Sequence, residues 1–213
     1  ELIMKYNLDS NSVVSINHGG YSSFIDSNKI NLEEKENNAL FFGRIWRYKG
    51  LEYLLRSQYI LKQIVPNYEI TIAGIGEDLK IYRKLIVKEN TDIRNYMVPL
   101  TEMFSLFKNC SVVVLPYLDA TQSGIIPLAY EFEKPVVVTS VGSIPEVVTN
   151  GKEGIIVRPR STKDLGLALS LVLNDKKLSR KLGKNGRKRL ERQLSWDKGM
   201  RKMMGVYKNL VKK

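Results

Sequence analysis

Two separated clusters in this chain have residue types and spacings that could do chemistry. Gly43-Arg44, then Lys49-Gly50, follow an apolar run, and Thr121-Gln122-Ser123-Gly124-Ile125-Ile126-Pro127 opens a helical pattern. Arg44 and Lys49 bring positive charge to the end of an expected strand. Residues 123–125 offer backbone N–H groups at an expected helix N-terminus, where the dipole favours an anion. Two such walls suit a diphosphate. Gly74-Ile75-Gly76 follows another apolar run. Glycines there permit a tight turn and close backbone approach, and their place after Ala73 also fits them to line the same site.

The elements that must position these residues follow from periodicity. Residues 13–16, 39–42, 69–73, 111–115, 135–139 and 154–157 form short apolar runs, mostly without alternation, which predicts strands buried on both faces. Between them, 51–64, 79–88, 101–108, 124–133 and 143–148 carry helical patterns, and 161–173 follows the last strand. In 143–148, Pro145-Glu146 starts a short helix, with Glu146 favourable near its N-terminus. The order βαβαβα predicts an α/β fold: a Rossmann-like, doubly wound parallel sheet with helices on both faces and ligands at the strand carboxyl ends. The expected organisation is a linker and first strand over 1–37, a nucleotide-binding domain over 38–194 and a basic amphipathic helix over 195–213. Residues 28–38, polar and asparagine-rich, read as a linker or surface loop. In the last helix, Trp196, Met200, Met203, Tyr207 and Leu210 make an apolar stripe for which core packing is the simpler expectation.

A chain of 213 residues, 43% hydrophobic, has material for a substantial core. Its net charge of +12 is localised. Residues 176–213 hold 15 basic and 2 acidic side chains, leaving 19 basic and 20 acidic in 1–175. The tail suits either an anionic membrane surface or the solvated faces of two helices. Nucleic acid is disfavoured because no binding module accompanies the charge. No apolar run approaches the roughly 18 residues of a spanning helix. Cys110 is the only cysteine, which excludes an intrachain disulfide, favours a reducing compartment, and in its apolar context predicts a buried structural residue. One His, one Cys and no Asp-x-Asp pair give no metal-ligand cluster, so no metal and no cofactor is expected. The N-terminus, Glu-Leu-Ile-Met-Lys-Tyr-Asn-Leu, reads as a cut end rather than a signal peptide.

Taken in order, several motifs resemble the nucleotide-sugar half of glycosyltransferase family 4. They are Phe41-Phe42-Gly43-Arg44-Ile45, Lys49-Gly50-Leu51, Ala73-Gly74-Ile75-Gly76, Leu115-Pro116-Tyr117 and Ser123-Gly124, then Lys134-Pro135-Val136-Val137-Val138-Thr139, Gly142-Ser143-Ile144-Pro145-Glu146-Val147-Val148 and Gly151-Lys152-Glu153-Gly154-Ile155-Ile156-Val157. The resemblance spans about residues 12–211. It implies one half of a GT-B architecture, which transfers a sugar from a nucleoside diphosphate sugar, UDP- or GDP-linked, to a hydroxyl, retaining configuration without a metal. It also implies that Gly43, Arg44 and Lys49 meet the diphosphate and that Gly74 and Gly76 line the donor site. Thr121, Gln122, Ser123, Gly124 and Ile125 would form the opposing loop, Gly124 and Ile125 supplying N–H groups. In Arg94-Asn95-Tyr96-Met97, Asn95, Tyr96 and Met97 would line the base.

The family's paired glutamates are absent: Ala120 and Leu128 stand at those positions. Asp119, one residue earlier, and Glu131, three residues later, are the candidate replacements, for the donor sugar and the ribose respectively. Their alternative roles are loop solvation and surface charge. His18 falls in an interdomain segment and reads as a loop or interface residue. The acceptor-binding half is expected to precede this one, the chain alone to be inactive, and the whole enzyme to work in the cytoplasm or at the inner membrane face. There it would build polysaccharide, lipopolysaccharide or glycolipid. Two rivals remain. One is a noncatalytic module with a vestigial site; the other is a sugar-nucleotide epimerase, disfavoured by a single His and no paired carboxylates.

Overall fold

The structure, a computed structural model, describes residues 2–16, 18–21, 35–76 and 79–211. Six parallel strands form one sheet: β1 Asn38–Phe42, β2 Glu69–Ala73, β3 Thr91–Arg94, β4 Val112–Leu115, β5 Val136–Thr139 and β6 Gly154–Val157. Their spatial order is β3-β2-β1-β4-β5-β6, so the winding reverses between β1 and β4. The eight helices among the described residues are α1 Leu2–Tyr6, α2 Leu51–Ile64, α3 Leu100–Asn109, α4 Ile125–Glu131, α5 Ile144–Val147, α6 Thr162–Asn174, α7 Lys176–Gln193 and α8 Trp196–Val211. The doubly wound Rossmann-like expectation holds.

Each central strand feeds two cores. Ala39, Phe41, Val112, Val114 and Val137 point to one face, beneath α2 and α6, where Leu51, Leu54, Leu61, Leu165 and Leu169 pack. Leu40, Val113, Leu115, Val136 and Val138 point to the other, beneath α3, α4 and α5, with Phe107, Ile126 and Ile144. This two-sided burial explains the unbroken apolar runs. Cys110 is buried as expected, its thiol donating to the Phe107 carbonyl at 3.4 Å. Ser161 and Asp175 cap α6 and α7, accepting from the backbone N–H groups of Asp164 and Leu178.

Four expectations are corrected. Residues 13–16 are not a strand. They lie along α8, where Lys202 donates to the Ser15 carbonyl at 2.7 Å, so the apolar run finds a helix rather than a sheet edge. Residues 79–88 do not form an α-helix but contain one short 3-10 turn, Leu79–Tyr82, with a second at Lys88–Asn90. The next segment is strand β3, which has no apolar run to announce it. Finally, the stripe on α8 is not core: no residue of that helix is buried, and Trp196, Met200, Tyr207 and Leu210 are each about half exposed or more. Of the predicted linker, residues 28–34 lie outside the described residues.

Candidate functional site

The order reversal leaves a crevice between the loops after β1 and β4, the place where open α/β sheets bind ligands. Gly43 opens the first loop at φ 122°, and its N–H donates to the Ala73 carbonyl at 2.9 Å. Gly74 sits so close that a Cβ would lie 2.0 Å from the Gly43 carbonyl oxygen, and a Cβ on Gly76 would lie 2.2 Å from that of Ile45. Close packing of the two loops therefore accounts for both glycines by itself. Beyond Arg44, whose side chain is exposed, a 3-10 turn at Arg47–Lys49 ends at Gly50.

The two clusters singled out in the sequence meet through Tyr117. Lys49 Nζ stands 3.8 Å from the centroid of the Tyr117 ring, a cation–π contact. The Tyr117 hydroxyl is 3.2 Å from Ser123 Oγ, which in turn accepts from the Ile125 N–H at 3.3 Å. The Thr139 hydroxyl fixes Tyr117 from behind, donating to its carbonyl at 2.6 Å. Partial burial, and then the neighbouring Arg44, push the Lys49 ammonium down to about 8, while burial pushes the Tyr117 phenol up to about 12. Tyr117 therefore stays neutral under a lysine that is mostly charged at neutral pH. In the sequence Tyr117 stands just past an expected strand end, with no role of its own implied there.

Around this centre, the Ser143 hydroxyl and backbone N–H both donate to the Thr121 carbonyl, tying the Thr121–Gly124 loop to the start of α5. Thr121 and Gln122 are exposed there. His18 and Tyr21 pack on the same loop: a Cβ on Gly124 would lie 3.3 Å from the Tyr21 hydroxyl and 3.6 Å from the His18 ring. Behind His18 stands Trp196, with ring centroids 5.2 Å apart, and its indole donates to the Gly20 carbonyl at 2.7 Å. His18 thus buttresses the loop, in line with its expected role.

The remaining candidates take no part in this chain of contacts. Asn95, Tyr96 and Met97 follow the edge strand β3 and are exposed. There the Tyr96 hydroxyl donates to Glu102 at 2.6 Å, and Arg94 pairs with both Asp92 and Glu102, so hydrogen bonds from Tyr96 and Arg94 hold the Glu102 carboxyl below its usual range. Asp119 is exposed and lines a cleft with Trp46, Arg47, Tyr48, Leu118 and Arg160. Glu131 departs from its expected role. Its carboxylate is only 5% exposed and pairs with Arg187 of α7 at 2.6 Å, because the end of α4 packs against that helix.

Tyr117→Phe is expected to keep the ring beneath Lys49 but release Ser123. A loss of roughly threefold in nucleotide affinity is expected, against roughly tenfold for Tyr117→Leu, which removes the ring as well. Calorimetric titration checks this, and equal losses in the two variants would remove the cation–π contribution.

Comparison with known proteins identifies the family. The sequence model of the glycosyl transferases group 1 family matches residues 13–189. An uncharacterized glycosyltransferase of Methanocaldococcus jannaschii is 31% identical over 186 residues, covering 84% of this chain and 46% of the relative. The Staphylococcus aureus capsular polysaccharide biosynthesis glycosyltransferase CapM is 27% identical over 200 residues, covering 88% and 51%. The structure of Anabaena HepE in complex with UDP superposes with a TM-score of 0.69 at 16% identity, covering 84% of this chain and 50% of that one. The chain spans about half the length of the curated relatives it matches. With the family's sequence pattern running through both loops of the crevice and the sheet that carries them, this chain belongs to the group 1 glycosyltransferases.

Proposed function

We propose that the chain is the C-terminal, donor-binding domain of a family 4 glycosyltransferase that transfers a sugar from a UDP- or GDP-linked donor to a hydroxyl. The observation that carries this reading is the Lys49–Tyr117–Ser123–Ile125 chain of contacts, which sets a cation opposite a loop of backbone donors at the sheet's switch point. Arg44 and Lys49 neutralise the leaving diphosphate, and the Gly124 N–H binds it together with the Ile125 N–H, which exchanges its bond to Ser123 Oγ for the phosphate. Preorganised donors of this kind are typically worth ~3–4 kcal/mol each in the transition state. The bond between anomeric carbon and diphosphate breaks, the acceptor oxygen bonds on the same face, and the departing phosphate takes the acceptor's proton. No catalytic metal takes part. UDP in the HepE structure supports the donor class, and the function in the name of CapM supports a role in cell-surface polysaccharide synthesis. The acceptor site belongs to the half that relatives carry beyond this chain, so the chain alone binds nucleotide and transfers nothing. Titration with UDP, GDP, ADP and their sugar conjugates tests the reading. Saturable binding of one nucleotide supports it.

The absence of carboxylates at Ala120 and Leu128, with Glu131 committed to Arg187, favours a second reading, a vestigial noncatalytic site. Failure of a folded sample to bind any nucleotide at millimolar concentration would bring that reading forward. The exposed face of α8 with the surrounding basic residues supports a further role at an anionic membrane surface. No helix among the described residues is long and apolar enough to cross a membrane. Met200→Asp with Tyr207→Asp is expected to lower partition onto anionic vesicles by about tenfold or more, since each buried side chain contributes upwards of 1 kcal/mol. Unchanged partition would remove the membrane role.

A further inference from the structure

We propose that Arg189 of α7 is a positioning residue for the diphosphate site, a role that rests on the transferase reading and is exerted on the Thr121–Gly124 loop through the one-turn helix α5. The loop has little of its own to fix it. Residues 120–123 lie outside any helix or strand, and Gly124, the N-cap of α4, has no side chain to brace it. On one side α5 supplies the tether. The Ser143 hydroxyl and N–H both donate to the Thr121 carbonyl, and a Cβ on Gly142 would lie 1.5 Å from the Ala120 carbonyl oxygen.

A helix of four residues is not stable by itself, so α5 must take its own position from its surroundings. Ile144 and Val148 are fully buried, and the last two carbonyls of α5 are taken by side chains from other helices. Tyr130 of α4 donates to that of Val147 at 3.1 Å, and Arg189 donates to that of Glu146 at 2.5 Å.

Arg189 is in turn held fast. Its side chain is 15% exposed and pairs at 3.1 Å with Glu153, which is 2% exposed. It also donates to the Thr149 hydroxyl at 2.7 Å, while Glu153 accepts from the Thr149 N–H at 2.8 Å. Desolvation offsets the attraction within a buried ion pair, so stability alone is a weak reason for one here. What this pair does is fix a planar guanidinium in the orientation that reaches three acceptors, one of them at the end of α5. Arg187, on the same helix, gives the contrast. It pairs with the buried Glu131 at 2.6 Å and with Glu191 at 2.7 Å, and its bonds among the described residues all go to α4 and α7.

Arg189→Lys keeps a cation beside Glu153 but gives up the fork, which releases α5 while leaving the charge balanced; Arg187→Lys is the matched control. In ¹⁵N spectra of the unliganded chain, Arg189→Lys is expected to displace the Gly124 and Ile125 amide resonances and Arg187→Lys to leave them in place. In titrations with UDP, GDP and ADP, the preferred nucleotide is expected to bind about fivefold more weakly to Arg189→Lys and within about twofold of wild type to Arg187→Lys. Ser143→Ala cuts the far end of the path without touching the ion pair. It is expected to match the affinity loss of Arg189→Lys, and the double variant to lose no more than either alone. Resonances that stay in place in Arg189→Lys, or move equally in Arg187→Lys, would overturn the proposal, as would additive losses. If Arg189→Lys does not fold, Ser143→Ala decides: wild-type affinity there breaks the path. If wild type binds no nucleotide while Arg189→Lys alone moves the two resonances, the transferase reading falls and the hold on the loop stands.

Discussion

Lys49→Ala weakens nucleoside diphosphate binding by roughly 100-fold, about 3 kcal/mol, and removes its dependence on pH above neutrality. The size follows from where the ammonium sits. It is half-buried on the Tyr117 ring with the Arg44 charge acting on it, and so lacks the hydration that an exposed lysine keeps. In the unliganded chain, burial and then Arg44 bring Lys49 down to about 8. A diphosphate supplies the missing counter-charge, favours the protonated form and raises that pKa again. Below about pH 8 the lysine is already charged and no proton need be taken up. Above it, binding must recruit a proton, and affinity falls by about tenfold per pH unit until the raised pKa of the complex is reached. Calorimetry across this range in wild type and variant checks the effect. A wild-type affinity flat through pH 8–10, or a variant that binds like wild type, would remove Lys49 from the site.

The same shift has a sign for stability. Because the folded pKa lies below the unfolded one, the folded chain binds fewer protons between about pH 8 and the ordinary lysine value of 10.5. Its stability contribution is therefore unfavourable below pH 8 and is relieved as pH rises through that window. The unliganded domain accepts a destabilised cation that a bound diphosphate then satisfies.

Gly50→Ala is expected to be strongly destabilising, at about 3 kcal/mol or more, with a fall in Tm of roughly 6–12 °C. Gly50 has φ 70°, closes the 3-10 turn through its N–H to the Arg47 carbonyl, and begins α2. A Cβ there would lie 1.9 Å from the Pro116 carbonyl oxygen. Pro116 cannot yield easily, since Tyr117, 1% exposed, follows it. Gly151 gives the comparison. It has φ 74°, but a Cβ there would meet nothing within 4 Å. Gly151→Ala should therefore cost only the left-handed backbone, about 1 kcal/mol. Thermal denaturation of the two variants separates contact from conformation. A Tm for Gly50→Ala equal to that of Gly151→Ala would show that the approach to Pro116 is not restrictive.

Much of this architecture is decided locally. The strands at 39–42, 69–73 and 154–157 are legible because a strand covered on both faces must be apolar throughout, and α2 is legible because its buried residues recur with the helical period. The Gly43-Arg44 and Lys49-Gly50 spacing likewise puts two cations after a strand whatever the rest of the chain does. Where an element takes its stability from a distant partner, local pattern is silent or misleading. Thr91–Arg94 is an edge strand with no fully buried residue, so its polar sequence carries no strand signal. Residues 13–16 look like a strand, yet what they meet is α8. The stripe on that helix has the period of a core face, and periodicity cannot say whether anything covers it. Sequence neighbours placed Glu131 on a donor-facing surface, but Arg187, 56 residues away, captures its carboxylate. The Lys49–Tyr117 contact is of the same kind. The sequence by itself supplied the lysine, the tyrosine and the strands that end beside them; pairing of β1 with β4 in the folded sheet decided that the ammonium would rest on the ring and share its serine with the opposing loop.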